Sequence, residues 1–118
     1  HTGDMVMDGA PFIDYRTGGS AIQWVKTLHE LLKLDFDTVI PGHGPLFDKQ
    51  YVRDYVQKLE TMNQRMLELV KAGVPRSDVV ARLGLDELGW AHTDSTDTFL
   101  ANSIDGYYAE MAAQPATR

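Results

Sequence analysis

Asp4 follows Gly3, and His43 stands between Gly42 and Gly44; these two side chains suit metal or proton chemistry. A carboxylate and a neutral imidazole are both ligands for zinc. In Ile40-Pro41-Gly42-His43-Gly44-Pro45 a β-prone run ends, and two glycines and two prolines turn the backbone sharply. Such a turn holds an imidazole at a sheet edge, clear of neighbouring bulk, with its second ring nitrogen available to an outer acceptor. Taken singly, each has an ordinary reading: His43 as a turn residue with no task, Asp4 as a turn or capping carboxylate. Taken together, a strand-end Asp and a strand-end His separated by one crossover helix meet at one sheet edge. Open α/β sheets place their sites there.

The elements that must position this pair are legible from periodicity. Met5-Val6-Met7, after the Gly-Asp turn, reads as the end of a strand. Asp8-Gly9-Ala10-Pro11 makes a turn, and Thr17-Gly18-Gly19-Ser20 a loop that ends in an N-cap. From Ala21, the residues Ile22, Val25, Leu28, Leu31 and Leu32 recur at helical spacing to about Lys33 or Leu34. Residues 36–40 form a short β-prone run stopped by Pro41. Strand, helix and strand in this order build a parallel or mixed sheet. The remainder reads as helical. One helix is expected from Asp48 to about Ala72 with Gly73 as its stop, a second capped by Ser77 and broken at Gly84, and a third carrying Phe99, Leu100, Ile104, Tyr107, Tyr108 and Met111. Trp90, Tyr107, Tyr108, Met62 and Met66 are expected to be core anchors. The last residues, 114–118, are expected to fray.

Composition narrows the function classes. The chain of 118 residues is the size of one domain, and 43% hydrophobic content suffices for a modest core. With no cysteine, disulfides, thiolate nucleophiles and cysteine-bound zinc are excluded. A net charge of −6 argues against a nucleic-acid surface, which needs clustered Lys and Arg. No apolar run approaches the ~20 residues of a membrane span, so a soluble protein is expected, of unknown compartment. The chain opens on His1 rather than Met, as expected of a processed chain or a piece of a longer polypeptide.

The two motifs, in this order and spacing, resemble the C-terminal part of the metallo-β-lactamase fold, a superfamily of zinc-dependent hydrolases. Gly3-Asp4 is similar to the Gly-Asp that supplies a carboxylate bridging two metal ions there. Pro41-Gly42-His43-Gly44 is similar to the turn that supplies the last histidine, to the second metal. Pro11-Phe12-Ile13-Asp14 and the helix after it resemble the branch of small-molecule hydrolases, as does the helical tail through Asn102 and Tyr108. The resemblance covers residues 1–50 well and the rest loosely. It implies an α/β chain forming the C-terminal part of an αββα sandwich, helix-rich, with two to four short strands. Residues 1–50 would be the strand-helix-strand part and 51–118 a helical C-terminal extension. It further implies two zinc ions in an intact protein and cleavage of a small-molecule ester, thioester or amide.

The departures set a limit. The main metal motif of the superfamily, His-x-His-x-Asp-His, does not occur, nor does the histidine that normally precedes the Gly-Asp strand. Stable zinc sites gather three or four protein ligands. Asp4 and His43 are two, so the chain by itself is expected to be inactive. Its open sheet edge should drive self-association, or pairing with an N-terminal half that carries the other ligands. Of the other histidines, His29 reads as a polar or core-edge helix residue. His92, in the polar loop after Trp90, is a possible substrate-side residue or a solvated loop histidine. Two other function classes bear on the same sequence. Residues 74–90 have a helix-turn-helix flavour, but the second piece, LDELGW, is acidic and unsuited to DNA. A non-catalytic, helix-rich binding or oligomerisation module is the main alternative.

Overall fold

The computed structural model describes residues 1–90, 99 and 102–115. It is a mixed α/β structure, mostly helical, with a few short strands. Strand β1 (Gly3–Met7) leads through a short 3-10 turn (Tyr15–Thr17) into helix α1 (Ala21–Leu32). Strands β2 (Thr38–Val39), β3 (Pro41–His43) and β4 (Phe47–Asp48) follow. Then come α2 (Lys49–Lys71), α3 (Arg76–Arg82) and α4 (Ile104–Ala112).

The helices form where the sequence supplies caps and apolar stripes. Ser20 accepts a hydrogen bond from the Gln23 amide and so satisfies one of the orphan donors of the first turn of α1. Asp48 does the same for α2 through the Tyr51 amide. On α2, Val52, Tyr55, Val56, Leu59, Met62 and Met66 recur every three or four residues, and all six are buried. The helix stops at Gly73, whose φ of +80° only glycine adopts without strain. The Val74 amide then reaches back to the Leu69 carbonyl and the Gly73 amide to that of Val70, closing the helix end. Helices α1 and α4 both pack on α2. The buried apolar side chains form one cluster, with Val6, Ile13 and Leu28 from the first half and Phe99, Tyr107 and Met111 from the last.

β1 and β3 pair in parallel, with α1 in the connection that parallel strands require. β2 and β4 form a separate antiparallel pair. The β-prone run of residues 36–40 yields strand only at Thr38–Val39, and Pro41 does not stop it for good. The Ile40 carbonyl accepts from the Thr2 amide at 3.0 Å, and Pro41 opens β3. A proline is tolerated at a first strand position.

Three other sequence expectations shift. Ser77 lies inside α3 rather than capping it; the helix starts at Arg76, after Pro75 in extended backbone, with no side-chain cap. No second helix directly follows α3, because residues 85–89 form turns between Gly84 (φ +79°) and Gly89 (φ +75°). The helix-turn-helix pattern is therefore not formed. Finally, Gly3-Asp4 opens β1 instead of ending it. Among the described residues, no helix is long and apolar enough to cross a membrane.

Candidate functional site

In a regular parallel pair, a residue near the start of one strand and the last residue of its neighbour would lie at opposite ends. Here the side chains of Asp4 and His43 nonetheless approach each other. Gly3 is level with Pro41 and Met7 with His43, so five residues of β1 run beside three of β3, with a register irregularity between. This compression brings the Nε2 of His43 to 3.5 Å from the Oδ1 of Asp4. The sheet-edge meeting expected from the sequence is thus reached by an uneven register, not by two strand ends lying side by side.

The pair is open to solvent, with His43 69% and Asp4 60% exposed. A contact this exposed contributes at most roughly 0–1 kcal/mol even where both groups are charged, so the fold does not depend on it. The space between the two residues is set by Gly42. A Cβ there would overlap Asp4 Oδ1 and stand 2.9 Å from the Gly3 carbonyl carbon and 3.1 Å from the Asp4 nitrogen. After His43, Gly44 has φ +113° and would place a Cβ 2.8 Å from that of Asp8 and 3.3 Å from Phe47 Cζ. Both flanking glycines are therefore required by close approach, one to Asp4 and one to Asp8 and Phe47.

Three contacts hold β1 under the pair. The Trp24 indole donates to the Met5 carbonyl at 2.9 Å, tying α1 to the residue after Asp4. The Tyr51 hydroxyl donates to the Met7 carbonyl at 2.7 Å, tying α2 to the other end of the strand. The Asp8 amide donates to the His43 carbonyl at 3.1 Å. Tyr51 in turn stacks on Phe47, centroids 3.6 Å apart and planes 4° from parallel. Burial, and then the nearby charge of Asp8, push the Tyr51 hydroxyl up to about 12. It stays protonated and a donor across the physiological range.

The donor chemistry fits part of a metal site. Two ligands about 2.1 Å from one tetrahedral zinc stand roughly 3.4 Å apart, close to the observed separation. A hydrogen bond would be shorter. Among the described residues, however, no group of three or more His, Cys, Asp or Glu side chains converges. His1 does not add a ligand; its Nδ1 accepts from the Gly3 amide at 3.1 Å. His29 is exposed and pairs with Glu60 across α1 and α2 at 2.9 Å, a solvated surface role. Trp90, Tyr107, Met62 and Met66 are buried in the core, and Tyr108 is partly buried and packed against that core. His92 lies outside the described residues.

Sequence reasoning passed over Trp24 and Tyr51 as parts of this arrangement. Spacing marks Trp24 and Tyr51 as helix residues near the apolar stripe, but their polar atoms act across 19 and 44 positions of sequence. No local pattern encodes such partners. No family model matches this chain, and neither does any curated protein or solved structure.

Proposed function

We propose that this chain carries part of a zinc-dependent hydrolase site of the metallo-β-lactamase type, with Asp4 and His43 as two of its metal ligands. The observation that supports the reading is the 3.5 Å approach of His43 to Asp4, made by an uneven strand register across a glycine that leaves the carboxylate room. Two donors are too few for tight binding, so the remaining ligands would come from a partner segment, in this reading residues upstream of His1. The same segment would cover the sheet edges left unpaired among the described residues and the exposed apolar side chains of Ile40 and Leu46, which flank His43 in sequence.

When bound, zinc supplies Lewis acidity and lowers the pKa of a coordinated water toward neutrality. This chain's own residues would supply and orient part of the site. Asp4 would hold metal through its carboxylate and His43 through Nε2. Trp24 and Tyr51 fix the strand beneath them, with Tyr51 holding its proton on the Met7 carbonyl. The proposed substrate is a small-molecule ester, thioester or amide, and the fold is that of the C-terminal part of an αββα sandwich.

The experiment is metal analysis after dialysis against zinc, on this chain and on the longest polypeptide its source makes. About two zinc per longer polypeptide, lost in Asp4→Asn and His43→Ala, is the expected result. A native polypeptide of these 118 residues that binds no metal would leave the alternative, a helix-rich binding or oligomerisation module.

A further inference from the structure

The carboxylate of Glu110, on α4, receives hydrogen bonds from three donors 89 to 95 positions earlier. The Tyr15 hydroxyl donates to Oε1 at 2.7 Å, the Ala21 amide donates to the same oxygen at 2.9 Å, and the Ser20 hydroxyl donates to Oε2. Ser20 and Ala21 are the cap and first residue of α1, which has no acidic residue in its own first turn. A negative charge is favourable at that end of a helix, and here the last helix supplies it. The surroundings are built to the same purpose. The Tyr15 ring lies against Gly106, where any Cβ would overlap it. Ser103, fully buried, bonds both the amide and the carbonyl of Ile13 at 3.0 Å. Tyr107 donates to Asn63 at 2.6 Å, and Asn63 donates to the Ala21 carbonyl at 3.2 Å.

From this anchored end, α1 runs one turn to Trp24, whose amide bonds the Ser20 carbonyl and whose indole bonds the Met5 carbonyl, next to Asp4. We infer that Glu110 is a positioning residue for Asp4, acting through the first turn of α1 and the Trp24 indole. The inference takes its functional meaning from the ligand role proposed for Asp4. It assigns the C-terminal helix a task in that site: setting where the carboxylate-bearing strand lies relative to His43. Coupling through packed and hydrogen-bonded elements must be shown by a measurement at both ends.

The test uses the full chain without metal, so it succeeds or fails independently of zinc binding. Hydrogen exchange of the Trp24 indole N–H and the carboxyl-carbon resonance of Asp4 are followed in Glu110→Ala, in Glu110→Gln and in Val79→Ala, a core truncation in α3 away from the path. Glu110→Ala is expected to speed indole exchange about tenfold beyond any change in global stability, and to shift the Asp4 resonance. Glu110→Gln should recover part of both, because its Oε1 can still accept from Tyr15 and Ala21. Val79→Ala should lower global stability without either local change. Should Glu110→Ala not fold, Tyr15→Phe removes one donor and must move both signals the same way by less. Indole exchange no faster than the stability change explains, or an unmoved Asp4 resonance, would overturn the inference.

Discussion

Gly42 faces Asp4 across the β1–β3 pair with no room for a side chain between them: a Cβ on Gly42 would overlap Asp4 Oδ1 and press on the Gly3 backbone. The glycine before His43 is thus an opening for the carboxylate as much as a turn residue. Backbone cannot rotate away as a flexible side-chain tip can, so an added methyl must displace β1 or the carboxylate.

Gly42→Ala is therefore expected to separate Asp4 from His43 and to destabilise the fold by about 1–3 kcal/mol, as overpacking does. Denaturant unfolding and the His43 imidazole resonances would report the two effects. An alanine variant of unchanged stability and unchanged His43 spectrum would contradict the steric account.

Alkaline pH should weaken the fold through its tyrosines. Burial and the Asp8 charge raise Tyr51 to about 12, and burial raises Tyr15, Tyr55 and Tyr107 above the ordinary value. Each is protonated in the native state while its unfolded counterpart ionises near ~10. Native protein then holds more protons than unfolded protein, so stability is full below ~10 and falls as pH rises through the native values. Denaturation midpoints measured across this range should drop, less steeply in Tyr51→Phe. Midpoints flat to pH ~12 would contradict this.

Tyr55 makes an opposite prediction at neutral pH. Its hydroxyl is buried with no hydrogen-bond partner among the described residues, while its ring packs edge-on to Trp90 with centroids 5.5 Å apart. A buried donor left unmade costs roughly 1–3 kcal/mol, so Tyr55→Phe should keep the ring contact and raise thermal stability. A loss of more than about 1 kcal/mol would show that the hydroxyl has a function.

Ile40 and Leu46 are 47% and 66% exposed beside sheets that have two strands each among the described residues. Apolar surface next to unpaired strand edges favours association. Analytical ultracentrifugation should show self-association that rises with concentration and weakens in Ile40→Lys/Leu46→Lys. A strict monomer at high concentration would exclude it.

Much of this arrangement is written locally, and some is not. Ser20, Asp48 and Gly73 mark helix ends because capping needs a particular side chain or a positive φ within a few residues. The α2 stripe is equally plain, because burial on one helix face imposes its period. Pro41 misled, because a proline that stops one strand can open the next; that depends on Thr2, nearly forty residues away, taking the Ile40 carbonyl. The register irregularity that joins Asp4 to His43 has no local signature either. It sits in the stretch of β1 that Trp24 and Tyr51 hold at the Met5 and Met7 carbonyls, contacts made across 19 and 44 positions. The Glu110 contacts, across about ninety positions, lay beyond any periodicity argument.

The most direct test of the ligand reading is a zinc titration of this chain followed by the imidazole resonances of its histidines. The account predicts that His43 and the Asp4 carboxylate shift together and saturate weakly, with Nε2 of His43 as the binding nitrogen. His29 should remain unmoved, and Asp4→Asn should abolish the His43 response. A His43 signal that zinc does not move, or that moves equally in Asp4→Asn, would contradict the claim that these two residues share a metal.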